Sequence, residues 1–251
     1  MPSPEQPAAG GGDDFERLEA EITACRRCPR LVAWREQVAE ERRAAFRDEE
    51  YWGRPVPGFG DPQARLLVVG LAPAAHGGNR TGRVFTGDRS GDWLYAALWR
   101  AGYANQPTSR HRDDGLALSG CWVSAAVRCA PPANKPTPEE RDACTPFLER
   151  EVALLAEVSV VVALGRFAWD AAWSVLARDA GTRSARAAGR RPTFAHLAEA
   201  ALAPDPAGRP RTLLASFHPS QQNTFTGRLT EPMFDAVFAR AAALTTPSRP
   251  Q

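Results

Sequence analysis

One stretch of the chain combines side chains that could do chemistry with many glycines. The run from Val69 to Asp88 follows an apolar segment, Leu66 to Val69, of the kind found in buried parallel strands. Its polar members include His76, Asn79, Arg80, Arg83 and Asp88. Open α/β sheets bind ligands at the carboxyl ends of their strands, and glycine lets the backbone approach a bound group closely. The run therefore predicts a binding loop, with a plain surface connection as the alternative.

The cysteines form a second group with chemical potential. Two residues separate Cys25 from Cys28 and fourteen separate Cys129 from Cys144, whereas Cys121 lies inside a strand pattern and is expected in the core. Free thiols are expected rather than disulfides, because no secretion signal precedes the first helix. Four thiolates could bind zinc or an iron–sulfur cluster, and the wide second pair favours [4Fe–4S]. Four unrelated buried thiols are the alternative.

Composition excludes several classes of protein. Apolar residues make up 43% and charged residues 24% of the 251 positions, as in ordinary globular proteins. The net charge of +2 is too small to indicate a nucleic-acid partner by itself. No apolar run is long enough to span a membrane, and no signal peptide is recognisable. We expect a cytoplasmic monomer that has no membrane partner.

Strand and helix patterns alternate along the chain and position these groups. The strands are predicted at Leu66 to Val69, Cys121 to Val127, Val158 to Leu164 and Thr212 to Phe217. Such alternation predicts parallel pairing, and hence a three-layer α/β/α sandwich around a four-stranded parallel sheet. The domain is predicted at 13–244, between disordered tails at 1–12 and 245–251. The loops of interest all leave carboxyl ends of strands, so they should converge on one edge.

Three further local features are predicted. Residues 180–211 are rich in Arg, Ala, Gly and Pro and are interpreted as an insertion with one helical patch at Phe194 to Leu202. A helix is predicted from Leu31 to about Phe46. Another should begin with Thr137 as its N-cap, because Pro and two Glu residues follow it.

Three separated segments share a pattern with a known family. They are Gly70-Leu71-Ala72-Pro73 with Thr81-Gly82-Arg83-Val84-Phe85-Thr86-Gly87-Asp88, then Arg128-Cys129-Ala130-Pro131-Pro132-Ala133-Asn134-Lys135-Pro136, then His218-Pro219-Ser220 with Asn223 and Thr226-Gly227-Arg228. Together with the four cysteines they resemble family 5 of the uracil-DNA glycosylase superfamily, the iron–sulfur type, from about Ile22 to Phe238. The resemblance implies the same four-stranded fold, a structural [4Fe–4S] cluster on the four cysteines, and excision of deaminated bases from double-stranded DNA.

Such an enzyme extrudes the target nucleotide into a closed pocket. Phe85 is predicted to stack on the extruded base, with core packing as the alternative. A departing base anion needs a donor at its carbonyl, and His218, fixed by Pro219 just beyond a buried strand, is the predicted donor. The resemblance assigns catalytic positions to Asp88 and Asn134. Asp88 could instead cap the following helix, and Asn134 could hold a turn.

The predicted base pocket departs from the patterns of related families. The base-binding positions are Gly70, Ala72, Pro73, Phe85 and Ala125. Many families have an acidic or polar residue where this chain and family 5 have Leu71. Related iron–sulfur glycosylases have Asn where this chain has Ala125, and an apolar wall rejects isosteres poorly. We therefore expect a broad pocket that accepts uracil and also hypoxanthine, best from mismatched duplex.

Contacts with the DNA backbone are predicted from four arginines and one amide near these loops, with ordinary solvated surface charge as the alternative. They are Arg80, Arg83, Arg89, Arg228 and Asn223. Phe225 is predicted to be a wedge that enters the duplex. A Schiff-base lyase step needs an amine, and Lys135 and the amino terminus are the only ones in the sequence. Lys135 is predicted to contact a phosphate instead, so a monofunctional glycosylase is predicted. A metal-stabilised nucleic-acid-binding module without catalysis is the alternative function.

Overall fold

The computed structural model describes residues 14–179, 192–202, 204–205 and 207–245. The predicted tail at 1–12, residues 246–251 of the other tail and residues 180–191 of the predicted insertion lie outside these ranges. Within them, no helix combines the length and the apolar character needed to cross a bilayer.

The described residues form one six-stranded sheet. Its strands are β1 (Phe59–Gly60), β2 (Leu66–Gly70), β3 (Cys121–Ala125), β4 (Val160–Leu164), β5 (Glu199–Leu202) and β6 (Arg211–Ser216). They lie in the order β1-β3-β2-β4-β6-β5. The pairs β3-β2, β2-β4 and β4-β6 are parallel, as the alternation of strands and helices predicts. All residues of β2, β3 and β4 are buried, because helices cover both faces of the sheet.

Two edge strands correct the prediction of a four-stranded, wholly parallel sheet. β1 pairs antiparallel with β3, and β5 pairs antiparallel with β6. The predicted helical patch at Phe194 to Leu202 is therefore wrong: Glu199–Leu202 is a strand, and the residues from Phe194 to Ala198 form no helix. Its alanines favour helix, but the edge of β6 offers backbone hydrogen bonds and a face on which Ala200 is buried.

Eight helices are present in the described residues. They are α1 (Phe15–Thr23), α2 (Pro29–Glu41), α3 (Gly78–Thr81), α4 (Arg89–Arg100), α5 (Pro138–Leu154), α6 (Arg166–Asp179), α7 (Gln221–Phe225) and α8 (Glu231–Thr245). The α4–α8 pair packs on one side of the sheet and the α5–α6 pair on the other, with α1 against α5. The sheet is thus enclosed between two helical layers.

Two helix boundaries show how local chemistry sets the elements. Thr137 is the N-cap of α5, as predicted, and forms a reciprocal capping box with Glu140. α2 ends at Glu41, five residues before the predicted end at Phe46, because Arg42 adopts a positive φ of 52°. The last predicted turn is a separate 3₁₀ turn at Ala44–Phe46.

The strand order creates a crevice at the middle of the sheet. The chain passes from β2 outward to β3 on one side, and from β4 outward to β6 on the other. Connections that leave two neighbouring strands in opposite directions open a gap at their carboxyl ends, where α/β proteins bind ligands. The glycine-rich loop after β2 and the segment after β6 both begin at this edge.

Candidate active site

Phe85 is held in a strained position over the end of β2. Its φ is 52°, which is uncommon for an aromatic residue, and its side chain is only 8% exposed. A Cβ on Gly70 would lie 2.5 Å from the Phe85 ring, so the ring rests directly on that glycine. A Cβ on Gly91 would overlap the Phe85 carbonyl. Strain that neighbouring residues enforce so closely is typical of functional sites.

His218 faces the same ring from the segment after β6. The imidazole and Phe85 ring centroids are 6.0 Å apart, with 32° between the planes. Asn223 Nδ2 donates to the His218 carbonyl over 2.8 Å, which fixes the backbone of this segment. Among the described residues, none hydrogen-bonds to a ring nitrogen of His218. Burial lowers the pKa of His218 to about 4, so the imidazole is neutral near pH 7.

Asp88 caps α4, which confirms the alternative interpretation of this residue. Its Oδ1 accepts a hydrogen bond from the Gly91 N–H over 3.0 Å. The carboxylate also lies so close to Gly77 that any side chain there would overlap it. Burial raises the pKa of Asp88, although the backbone N–H groups of Gly91 and Ser90 oppose the shift. A cap of this kind still places a carboxylate against the glycine-rich loop.

Asn134 occupies a more exposed position than the other predicted catalytic residues. It ends the 3₁₀ turn Pro132–Asn134 with a φ of 54°, and its N–H donates to the Pro131 carbonyl over 3.1 Å. The turn interpretation therefore describes its backbone. Among the described residues, no hydrogen bond joins the Asn134 side chain to Phe85 or His218, so its catalytic role stays a prediction.

The predicted base-binding residues occupy three different places. Ala125 pairs in register with Gly70 and is 3% exposed, so these two residues and Phe85 form an apolar wall. Ala72 instead packs against the cysteine cluster. Pro73 is buried against Gly78 at the start of α3.

Two of the arginines predicted to contact DNA are buried and stabilise the glycine-rich loop. Arg80 forms an ion pair with Glu49, lies 3.9 Å from the Phe46 ring centroid and donates to the His76 carbonyl. Arg83 forms an ion pair with Asp114 at 2.8 Å. Both guanidinium groups are committed to protein partners, and their burial gives no support to phosphate binding.

The other predicted DNA contacts differ in exposure. Arg89 and Arg228 are exposed, and their guanidinium carbons lie 4.5 Å and 4.7 Å from the ring centroids of Phe225 and Phe217. Phe225 is 67% exposed, which suits the predicted wedge. The Asn223 side chain holds the His218 carbonyl and thereby positions the predicted donor.

The four predicted ligand cysteines converge beside the glycine-rich loop. Cys129 and Cys144 share a buried cluster on which Cys28 packs, and Cys25 acts electrostatically on the other three. All four thiols are free. Burial raises the pKa of Cys28 to about 11 and that of Cys129 to about 12. Such thiols lose their protons readily only to a bound metal.

A buried arginine, Arg35, lies against the cysteine cluster. Its side chain is 2% exposed, and Nη1 donates to Cys129 Sγ over 3.0 Å. Its nearest carboxylate, Glu36, is 3.7 Å away, 44% exposed and already paired with Arg26, and Arg35 Nε has no hydrogen-bond partner. A buried cation needs a buried anion, and the sulfur atoms are the groups that can supply one.

The two metal centres that the sequence leaves open need different spacings of the thiols. One zinc ion holds its sulfurs about 3.8 Å apart, given Zn–S bonds of about 2.3 Å. In the described residues, no group of three or more His, Cys, Asp or Glu side chains is close enough to bind one ion. Four irons between the thiolates require a wider arrangement, and the assignment of the four cysteines to a [4Fe–4S] cluster stays a prediction.

Sequence reasoning missed Arg35 and a second buried arginine. Arg128 and Glu151 are each 1% exposed and form an ion pair, and Ser124 Oγ donates to Glu151 Oε2 over 2.6 Å. This network ties the loop that carries Cys129 to α5. For Arg35 a signal existed: it shares the buried stripe of α2 with apolar residues at helical spacing, where a solvated arginine would not lie.

The chain is similar to known proteins over most of its length. Residues 57–242 match the model of a family described as the uracil DNA glycosylase superfamily, a range that begins after Cys25 and Cys28. A type-5 uracil-DNA glycosylase of Mycobacterium leprae is 52% identical over 94% of this chain and 98% of its own. Those of Thermus thermophilus and Pyrobaculum aerophilum are 54% and 43% identical, over 92% and 93% of this chain and 98% and 93% of theirs.

Proposed function

This chain belongs to the uracil-DNA glycosylase superfamily and its type-5 group, and from that membership we propose that it hydrolyses the N-glycosidic bond of uracil flipped out of double-stranded DNA. The observation that carries the proposal is the meeting of Phe85 and His218 over Gly70, at the carboxyl edge of the sheet. Excision of uracil by such a hydrolase begins base excision repair.

The chemistry follows from the charges that develop as the bond breaks. Phe85 would stack on the extruded uracil, and the wall formed by Gly70 and Ala125 would close the pocket. Negative charge then grows on the base carbonyl, where the neutral imidazole of His218 can donate a hydrogen bond. The raised pKa of Asp88 suits a general base that orients water toward the cationic sugar.

Release of free uracil tests this function directly. The protein is incubated with a duplex that carries one radiolabelled deoxyuridine opposite G, and the supernatant is analysed for uracil. We expect free uracil and an abasic site that alkali cleaves. Binding without release would instead support a nucleic-acid-binding module that has no catalytic activity.

The substrate range is proposed to include hypoxanthine. Ala125 offers no amide to the edge of the base, and its wall with Gly70 and Phe85 is apolar. A pocket of this kind discriminates weakly between bases of similar shape. Duplexes with deoxyinosine opposite T should therefore also lose their base, which alkali cleavage of the product would show. A protein that releases uracil but leaves deoxyinosine intact would refute the broad pocket.

The enzyme is proposed to be monofunctional. Lys135, the only lysine, is exposed in the loop beyond Pro132–Asn134, and its carbonyl accepts from Arg30. A lyase step needs an amine that attacks the sugar. Borohydride added during the reaction should trap no covalent protein–DNA adduct, and recovery of such an adduct would contradict the proposal.

The four cysteines, Cys25, Cys28, Cys129 and Cys144, are proposed to bind a [4Fe–4S] cluster. When bound, the cluster would cross-link α2, α5 and the loop after β3, and would perform no step of the excision. Because Arg35 donates to Cys129 Sγ, it would stabilise the charge on that ligand.

Replacing Arg35 with Met is expected to shorten the lifetime of the cluster by about tenfold, because the ligand sulfur loses its charged donor. The decay of the visible absorbance under air gives this lifetime without any assay of activity. In Arg35→Lys, which keeps the charge, the lifetime of the cluster should lie between those of the native protein and Arg35→Met. An unchanged lifetime in Arg35→Met would show that the contact has no such effect.

The rate of uracil release should not show the pH dependence that an ordinary histidine would give. Burial lowers the pKa of His218 to about 4, so no inflection is expected near pH 6.5. The rate should fall in acid as the Asp88 carboxylate takes up a proton, at a higher pH than for an exposed aspartate. Single-turnover rates between about pH 4 and 8 measure both effects. A native inflection near pH 6.5 that His218→Ala removes would contradict the assignment of a neutral imidazole.

A further inference from the structure

One exposed loop carries two arginines that the proposed chemistry does not use. The arginine loop, Ser109 to Asp114, lies between α4 and β3, and Arg110, His111 and Arg112 are exposed on it. His111 faces the carboxylate of Asp113 at 3.7 Å. Among the described residues, no carboxylate is at ion-pair distance from Arg110 or Arg112. Two guanidinium groups are therefore available to an anionic ligand.

A buried hydrogen-bond network fixes the arginine loop to the glycine-rich loop that follows β2. Arg83, 4% exposed, donates to both carboxylate oxygens of Asp114 and to Ser109 Oγ over 2.8 to 2.9 Å. Its Nη1 donates to the Arg112 carbonyl over 3.1 Å. The Gly87 N–H donates to the Ser109 carbonyl over 3.0 Å, one residue before the predicted general base. The position of the exposed arginines is thus coupled to that of the catalytic carboxylate.

Arg112 of the arginine loop and Arg89 of α4 each stack on an aromatic ring. Arg89 and Arg110 both act electrostatically on the Asp92 carboxylate, where they oppose the rise in its pKa that burial causes. The Arg112 guanidinium carbon is 4.7 Å from the Trp52 ring centroid, and that of Arg89 is 4.5 Å from Phe225. Stacking restrains a guanidinium while its N–H donors stay free, which reduces the entropy lost on binding.

We propose that Arg110 and Arg112 bind phosphates of the DNA strand that carries the extruded nucleotide. Guanidinium groups match phosphate oxygens in charge and geometry, and contacts of this type set the register of a protein on a duplex. The inference rests on the proposed function, because that function makes DNA the ligand. The buried Arg83 would act as the positioning residue that aligns this contact with the pocket.

The test measures binding rather than catalysis. The probe is a labelled duplex with one 2′-fluoro-deoxyuridine opposite G, and its Kd is measured at several KCl concentrations. The double variant R110A/R112A should bind about tenfold more weakly at low salt. The slope of log Kd against log[KCl] should fall by about 1.8, as expected for two lost phosphate contacts. R110K/R112K should recover most of the slope, because lysine keeps the charge.

A matched control removes the same charge elsewhere. R100A/R240A takes away two arginines that lie outside the arginine loop and pair with Asp235 and Glu199. Equal salt slopes for R110A/R112A and R100A/R240A would overturn the proposal, since net charge alone would then explain the change. If the native protein releases no uracil, the proposed function fails, whereas the comparison of slopes still decides whether this surface binds DNA.

Discussion

Replacing His218 with Ala is expected to lower the single-turnover rate of uracil release by about 10²- to 10³-fold, the usual effect of removing one donor to a developing anion. The imidazole lies 6.0 Å from the Phe85 ring, and no described residue hydrogen-bonds to its nitrogens. Its removal therefore leaves the base carbonyl without a partner in the transition state while it disturbs few contacts within the protein.

Two measurements separate this loss from a loss of folding or binding. The Kd for the 2′-fluoro-deoxyuridine duplex should change less than tenfold in His218→Ala, because the hydrogen bond strengthens as the bond breaks. His218→Gln, which keeps an amide donor, should retain more of the rate than His218→Ala. A His218→Ala protein that excises uracil within threefold of the native rate would exclude His218 as the donor.

Replacing Cys144 with Ala is expected to abolish the visible absorbance of the cluster and to lower Tm by about 10 °C or more. The loss of a metal site is among the few single changes that cost several kcal/mol, and about 1 kcal/mol corresponds to 2–4 °C in a protein of this size. Cys144 lies in α5, so its ligand bond would hold that helix to the loop after β3.

Cys121 provides the matched control for this experiment. It is also a buried cysteine, but it lies in β3 within the core cluster rather than among the four converging thiols. Cys121→Ala should keep the visible absorbance and lose only the small packing energy of one sulfur atom. Retention of the full visible absorbance in Cys144→Ala would show that the four cysteines do not hold a cluster.

The parts of the fold that could be predicted are those with strong local signals. β2 is an uninterrupted apolar run, and Thr137 stands before Pro and two Glu residues. β1 has two residues and β5 lies in an alanine-rich segment, so neither carries a pattern of its own. Both form because a neighbouring strand has an open edge, and this is a property of the folded sheet.

In the candidate site, too, the features set by nearby sequence could be predicted and those set by distant contacts could not. The loop positions of Phe85 and His218 follow from the strands that precede them, and their meeting follows from parallel pairing. The partners of a buried charge could not be predicted in this way. Asp114, which holds Arg83, is far away in sequence, so Arg83 resembles a surface cation until the fold is known. Ala72 is itself a predicted base-binding residue, but it packs against the cysteines.

The most direct test of the site asks whether Phe85 holds the extruded base. Kd is measured for two duplexes that differ only in 2′-fluoro-deoxyuridine or deoxycytidine at one position opposite G. We expect the native protein to prefer the uracil duplex, and Phe85→Leu, which fills the space without an aromatic face, to lose about tenfold of that preference. A Phe85→Leu protein that keeps the whole preference would contradict a pocket built on Phe85, Gly70 and His218.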